Sequence, residues 1–133
     1  KSRAEFFQSC DIVSVHLRLV KETEALIKFS DLIQMKKDAL LVNISRAELL
    51  ENGALFGALE QGFLGQVALD VYENEPVYDP HHPLIQHPKV LCTPHIGYAE
   101  QETYKFYFEQ TMQNLEKYFA GDDSHVINHV KRV

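Results

Sequence analysis

Short apolar runs alternate with stretches of helical spacing along this chain. Four runs rich in valine, leucine and isoleucine predict buried strands at residues 11–17, 39–44, 65–70 and 89–93. Apolar positions that recur every three or four residues predict helices at 29–35, 52–61 and 99–120. Strands joined by helices in this order predict an α/β fold with an open parallel sheet.

Several residues mark where these elements are expected to begin and end. Residues 1–9 have the pattern of the last part of a helix. Ser30 is the expected N-cap of the second helix, and Gly62 is expected to end the helix at 52–61. The segment 125–130 is compatible with an added edge strand.

The composition fits one soluble globular domain. The 133 residues are 45% hydrophobic and 24% charged, and the formal net charge is −6. Lysines and arginines are too few and too scattered for a nucleic-acid surface, and no apolar run approaches the roughly 20 residues of a membrane span. Cys10 and Cys92 stand in no metal or disulfide motif, which fits a reducing cytoplasm.

Polar side chains follow every predicted strand. In an open parallel sheet, ligands bind outside the carboxyl ends of the strands. These ends carry His16, the segment 43–46, Asp70 and the segment 93–95. Because folding alone does not require so many polar groups at one edge, the sequence predicts a ligand site there.

Arg46, Glu75 and His95 together suit the reduction of a 2-keto acid, although each alone also has an ordinary reading as a surface or loop residue. A histidine can exchange a proton with a carbonyl or hydroxyl oxygen near neutral pH, and a carboxylate on its other nitrogen would orient the ring. An arginine fork can bind a substrate carboxylate. The hydride would have to come from a cofactor.

Three motifs give this combination a family resemblance. They are Asn-Ile-Ser-Arg, then Leu-Asp-Val-Tyr-Glu-Asn-Glu-Pro, then Thr-Pro-His-Ile-Gly. In this order the chain resembles NAD-dependent D-isomer-specific 2-hydroxyacid dehydrogenases, from about residue 11 through the long helix. The resemblance implies an incomplete fold, namely the second half of a Rossmann-type doubly wound parallel sheet with flanking helices. It also implies an oxidoreductase that transfers a hydride between NAD(H) and a small D-2-hydroxy acid or 2-keto acid.

The resemblance assigns roles to the three candidate catalytic residues. Arg46 matches the arginine that binds the substrate. His95 matches the histidine that acts as general acid in reduction and as general base in oxidation. Glu75, directly before Pro76, matches the glutamate that pairs with this histidine.

The resemblance also implies a set of cofactor contacts. Asp70 matches an aspartate that holds the nicotinamide carboxamide, and the backbone of His95 and Gly97 is expected beside the nicotinamide. His16 matches a histidine near the ribose and phosphate side of the cofactor. Ile44 and Ser45, together with Arg46, match a loop that lines the cofactor.

Some positions depart from the family pattern. Ala47 stands where the family usually has glycine, and Arg18 stands where it often has proline. Glu100 takes the position of a Thr or Ser N-cap. The six glycines contain no GxGxxG fingerprint, so the first Rossmann half is missing from this sequence.

The missing fingerprint leads to an expectation about the chain as a whole. We expect residues 1–98 to be the C-terminal half of an NAD-binding domain and residues 99–133 to be a helix and tail that return toward a substrate domain. Such a fragment is expected to bind NAD poorly and to be inactive alone. Its exposed sheet edge favours a homodimer.

Two other functions remain open at this stage. One is a non-catalytic NAD(H)-sensing or corepressor-like interaction protein on the same fold. The other is a metal-dependent hydrolase that uses His81, His82 and His87, although these residues lack the spacing of a known metal motif. Neither the 2-hydroxy acid nor the choice between NAD and NADP can be read from the chain.

Overall fold

The computed structural model describes residues 2–126, which form two compact units that divide between Gly97 and Tyr98. The first unit contains all of the strands found in the described residues, and the second contains one long helix. No helix among the described residues is long and apolar enough to cross a membrane.

The first unit is built on one parallel sheet. Its strands are β1 (Ile12–Val15), β2 (Leu40–Asn43), β3 (Gln66–Leu69) and β4 (Val90–Cys92), and they lie side by side in chain order. The sheet confirms the predicted α/β fold, and each strand lies inside the range that the sequence predicts. The predicted ranges are longer than the strands by one or two residues at each end.

The register brings the carboxyl ends of the strands to one level. Val15 is paired with Asn43, and Asn43 with Leu69. Leu69 is in turn paired with Cys92. Because the last residues of all four strands lie next to one another, the loops that follow them must meet at the same edge of the sheet.

Buried aliphatic side chains from the sheet and the neighbouring helices form the core. The fully buried ones include Leu32, Leu41, Leu49, Leu64 and Val67. β1, β2 and β3 all contribute buried side chains to this core, although Ile12 on the edge strand β1 is exposed.

Helices and one 3-10 helix precede or connect the strands of the first unit. The helices are α1 (Arg3–Ser9), α2 (Phe29–Leu32), α3 (Ala54–Glu60) and α4 (Pro83–Gln86), and the 3-10 helix is Ala47–Leu49. Ser2 and Glu5 form a capping box at the start of α1. Gly62 follows α3 with φ of +73°, which confirms that it ends this helix.

The predicted N-cap at Ser30 is wrong. α2 begins at Phe29, and Lys28 occupies the N-cap position. The Asp31 carboxylate accepts a hydrogen bond from the Lys28 backbone N–H, with an N–O distance of 2.7 Å. Asp31 therefore satisfies the polar backbone at this helix start in place of a serine hydroxyl.

The second unit contains the long helix α5 (Gln101–Phe119), close to the predicted range. Glu100 stands at the N-cap position, and its carboxylate accepts a hydrogen bond from the Thr103 hydroxyl at 2.8 Å. Gly121 follows the helix with φ of +78°. Most of the strand predicted at 125–130 lies outside the described residues. The assignment of residues 99–133 to a helix and tail that return toward a substrate domain stays a prediction.

An ion pair joins α1 to α2. Arg3 donates from Nε to Asp31 Oδ1 at 2.6 Å and from Nη2 to Asp31 Oδ2 at 2.7 Å. The same guanidinium also donates to the carbonyl oxygen of Leu26. The hydrogen bond from Arg3 holds the pKa of the buried Asp31 carboxyl below its usual range, against the opposing effect of burial.

We expect Asp31→Asn to lower the free energy of unfolding by about 1–3 kcal/mol, because a charge-assisted pair and a helix cap are both weakened. The folded-state pKa of Asp31 is depressed, so its contribution is complete above the unfolded-state value near 3.9 and is lost as pH falls through the folded-state value. Urea unfolding at several pH values measures the difference. It should be constant between about pH 6 and 8 and should shrink below about pH 4. The exposed Asp38→Asn variant is the control, and an equal effect of both substitutions would contradict the assignment.

Candidate active site

The loops at the carboxyl ends of the strands carry all of the predicted site residues. His16 follows β1, Ile44, Ser45 and Arg46 follow β2, Asp70 and Glu75 follow β3, and His95 and Gly97 follow β4. The structure therefore gathers at one edge side chains that are up to 81 positions apart in sequence, from His16 to Gly97.

Asp70 anchors the corner formed by residues 93–97, which holds His95. Asp70 is only 3% exposed, and its carboxylate accepts hydrogen bonds from the backbone N–H groups of Ile96 and Gly97 at 2.9 and 2.7 Å. The Thr93 hydroxyl donates to the same carboxylate. Burial by itself would raise the Asp70 pKa, but the hydrogen bonds from Thr93, Ile96 and Gly97 outweigh it and hold the pKa below its usual range.

His95 and Glu75 form a close pair. His95 Nδ1 lies 2.6 Å from Glu75 Oε2, and both side chains are about one-third exposed, at 36% and 31%. The hydrogen bond with His95 lowers the Glu75 pKa, and the Tyr72 N–H and the positive charge of Arg46 act in the same direction. Because an ionised carboxylate can only accept, His95 Nδ1 carries the hydrogen of this bond.

Tyr72 fixes the two loops that present this pair. Its backbone N–H donates to Glu75 Oε1 at 2.8 Å, and its phenol donates to the carbonyl oxygen of Thr93 at 3.0 Å. His95 itself has φ of +56°, in the left-handed region that few residues other than glycine adopt. The hydrogen bonds on both sides of His95 thus hold it in a backbone conformation that would otherwise be rare.

Asn43 shapes the loop that carries Arg46. This residue is 1% exposed, its Oδ1 accepts from the Ser45 N–H at 3.1 Å, and its Nδ2 donates to the Arg46 carbonyl oxygen at 2.9 Å. The Arg46 side chain reaches solvent, and its Nη1 donates to the Ser45 carbonyl oxygen at 2.6 Å. The Asn43 side chain therefore closes the turn from which Arg46 projects.

Most of the predicted site residues line one or both of two neighbouring cavities. Arg46, Glu75 and His95 line a cavity of about 260 Å³. His16, Ser45 and Arg46 line a second cavity of about 310 Å³, so Arg46 belongs to both. Asp70 lies buried beneath the corner, while Ile44 is 44% exposed beside it.

Three supporting residues have no role in the sequence prediction of the site: Asn43, Tyr72 and Thr93. Asn43 and Thr93 belong to the segments predicted at the edge of the sheet, whereas Tyr72 does not. A polar residue at the last position of an apolar strand, followed two residues later by serine, is a local signal for the turn at Asn43. The contacts of Tyr72 and Thr93 reach across loops that are 21 and 23 positions apart, and no local pattern predicts them.

The alternative metal site finds no support in the region that the structure describes. Within residues 2–126, no three His, Cys, Asp or Glu side chains come together that could hold a metal ion. His87 Nε2 instead lies 3.7 Å from Glu60 Oε1, and the ring of His82 packs edge-on against Tyr72.

Comparison with known proteins identifies the family. Residues 1–97 match the model of the family described as D-isomer specific 2-hydroxyacid dehydrogenase, NAD binding domain. The chain belongs to this family. Its membership confirms the resemblance seen in the sequence, and NAD, the predicted cofactor, is the cofactor for which the family domain is named.

Individual relatives agree with this membership. The chain is 39% identical to the glyoxylate reductase of Aeropyrum pernix over 121 residues, which are 91% of this chain and 36% of that protein. Among solved structures it is similar to a phosphoglycerate oxidoreductase from Vibrio cholerae, with a TM-score of 0.81, 44% identity and coverage of 90% of this chain and 38% of that one. It is also similar to a D-lactate dehydrogenase with NAD⁺ from Lactobacillus jensenii, with a TM-score of 0.83, 27% identity and coverage of 98% and 43%.

The chain spans about a third of the length of the curated relatives it matches, 36% in the case of the Aeropyrum pernix protein. The roles of the individual site residues are not tested by these likenesses. These roles stay predictions, and the distances at the carboxyl edge of the sheet say which atoms each role would use.

We expect Gly97→Ala to destabilise the corner by about 1–3 kcal/mol, since an added methyl group overpacks a well-ordered site. A Cβ at this position would lie 2.9 Å from Asp70 Oδ2, an oxygen that is already held by the Gly97 N–H. Gly57→Ala in α3 is the matched control, because its Cβ would meet only the Phe29 ring at 3.5 Å. Thermal unfolding should show a lower stability for Gly97→Ala and no loss of stability for Gly57→Ala, where alanine favours the helix. Equal stability of the two variants would argue against the close packing of this corner.

Proposed function

We propose that the protein to which this chain belongs is an NAD-dependent dehydrogenase that interconverts a small 2-keto acid and the corresponding D-2-hydroxy acid. The observation that carries this proposal is the His95–Glu75 pair, 2.6 Å apart, in one cavity with Arg46. A proton donor, its orienting carboxylate and a carboxylate-binding fork are the groups that such a reaction requires of the protein.

His95 is proposed to exchange the proton. Glu75 accepts from Nδ1, which sets the orientation of the ring and leaves Nε2 as the nitrogen that gives or takes a proton. In reduction, His95 Nε2 would donate its proton to the keto oxygen, which becomes the hydroxyl oxygen of the product. In oxidation, the same nitrogen would take that proton back.

Arg46 is proposed to bind the substrate carboxylate. Its guanidinium lines the same cavity as His95, and a planar fork can hold both carboxylate oxygens at once. A 2-keto acid held in this way would present its carbonyl next to the carboxylate, within the reach of the His95 ring.

The residues around the corner fit a nicotinamide ring. Ile44 and Ile96 are exposed apolar side chains at the carboxyl edge, at 44% and 50%, and Gly97 lies beside Ile44 without a side chain of its own. Ile44, Ile96 and the backbone at Gly97 would hold the ring, and the His16 side would face the rest of the cofactor. When bound, the reduced nicotinamide supplies the hydride for the keto carbon.

The activity is proposed for the longer protein and not for these 133 residues alone. The GxGxxG fingerprint that binds a dinucleotide pyrophosphate is absent from this sequence, so residues 1–133 are expected to be inactive by themselves. The homodimer and the cytoplasmic location remain predictions.

We expect His95→Ala in the full-length protein to lower kcat for 2-keto acid reduction by about 100- to 10,000-fold, because the general acid is lost. NADH oxidation with a panel of 2-keto acids measures this, and chiral analysis of the product should give the D-isomer. His81→Ala, at an exposed histidine outside the cavity, is the control and should keep wild-type turnover.

Two results would contradict the proposal. Undiminished turnover in His95→Ala would remove the assigned proton donor. NADH binding without turnover on any 2-keto acid would favour the NAD(H)-sensing alternative instead.

Arg46→Lys should raise the KM for the 2-keto acid by about 10-fold or more, because lysine keeps the charge but not the two-pronged geometry. Initial rates over a range of keto acid concentrations measure the change, and His81→Ala, which lies outside the cavity, is the control and should keep the wild-type KM. A KM that stays at the wild-type value would exclude Arg46 as the carboxylate ligand.

A further inference from the structure

A second cavity lies beside the proposed reaction site, on the β1 side. It has a volume of about 310 Å³ and is lined by His16, Leu17, Arg18, Leu19, Ser45 and Arg46. The proposed reaction uses only Arg46 of this set. The proposed proton transfer and substrate binding use none of the other polar side chains of this cavity.

Arg18 projects from a loop whose backbone is held on both sides. The Ser45 hydroxyl donates to the Leu17 carbonyl oxygen at 2.5 Å, and the Thr23 hydroxyl donates to the Arg18 carbonyl oxygen at 2.7 Å. The Val20 N–H in turn donates to the Thr23 hydroxyl at 2.9 Å. These bonds fix the position from which the exposed Arg18 side chain extends.

The charge of this cavity is opposite to that of the chain. The formal net charge of the chain is −6, yet the lining residues include two arginines and a histidine and no carboxylate. Among the described residues, the Arg18 guanidinium has no hydrogen-bond or ion-pair partner. Two guanidinium groups around one cavity repel each other unless an anion lies between them, so the cavity is suited to an anionic group.

The strand order indicates which anion this is. A dinucleotide lies across the carboxyl edge of a Rossmann sheet, with its pyrophosphate at the point where the strand order reverses. β1 is the edge strand of the four-stranded sheet, on the side where the other half of such a sheet would join. A cofactor with its nicotinamide at Ile44 and Gly97 would therefore extend toward β1 and the Arg18 cavity.

We propose that Arg18 binds the pyrophosphate of the dinucleotide cofactor. The inference rests on NAD as the cofactor of the proposed function, but not on hydride transfer. Since the family often has a proline at this position, which carries no charge, the contact would be a property of this chain. Arg18 would bind the diphosphate from the half of the sheet that lacks the glycine fingerprint, in addition to the contacts made by the other half.

The test is calorimetric titration of the full-length protein with NADH and with NADPH. We expect Arg18→Gln to raise the Kd of both dinucleotides by the same factor of about 10 or more, as for the loss of a charge-assisted hydrogen bond. Arg18→Lys should recover part of the affinity, and the difference from wild type should shrink in high salt. Lys21→Gln removes a charge from the same loop outside the cavity, so it is the matched control and should leave both Kd values unchanged.

Three results would overturn the inference. The first is that Arg18→Gln leaves both Kd values unchanged. The second is a raised Kd for NADPH alone, which would place the 2′-phosphate at Arg18. The third is a raised KM for the keto acid with unchanged NADH affinity. Because binding is measured without turnover, the outcome is separate from that of the proposed function. NADH binding that depends on Arg18 in a protein that reduces no 2-keto acid would support this inference while the proposed function fails.

Discussion

The position of His95 depends on a buried carboxylate. Asp70 follows β3, and it accepts hydrogen bonds from Thr93, Ile96 and Gly97 around the corner that follows β4. A left-handed conformation such as that of His95 costs roughly 1–2 kcal/mol per residue. Each hydrogen bond to a charged acceptor contributes about 1.5–3 kcal/mol. The three bonds together therefore exceed the conformational cost, and the corner is stable with the histidine ring directed at Glu75.

The loop after β2 is built on the same physical principle. Asn43 is as deeply buried as Asp70, and it too uses its side chain to satisfy the backbone of the loop that follows. In both loops the side chain proposed to act on the substrate, Arg46 or His95, projects from a backbone that a buried neighbour holds in place. Such preorganisation lets a reacting group keep its geometry although its own side chain reaches solvent.

Much of the fold could be predicted because its signals are local. Apolar runs locate the four strands, and Gly62 marks the end of α3 by its backbone freedom alone. The cap of α2 could not be predicted, since Asp31 is positioned by Arg3, which lies 28 residues earlier. At the site, the strand-end rule and the family motifs lead to Arg46, Glu75 and His95. Tyr72 and Thr93 have roles that arise only when separate loops meet.

The distribution of charge matters more for this edge than its total. A carboxylate substrate and a diphosphate are both anions, and two unit charges 4 Å apart interact by about 1 kcal/mol in water and several times more in a partly dry site. Arg46 lines the cavities proposed for both ligands, so its positive charge would lie where their repulsion is greatest. Arg18 adds a second positive charge on the β1 side of a chain whose formal net charge is −6. On the other side, three carboxylates line the cavity with His95, those of Glu48, Glu73 and Glu75. The two arginines would let an acidic protein accept two anions next to each other, which its net charge alone would oppose.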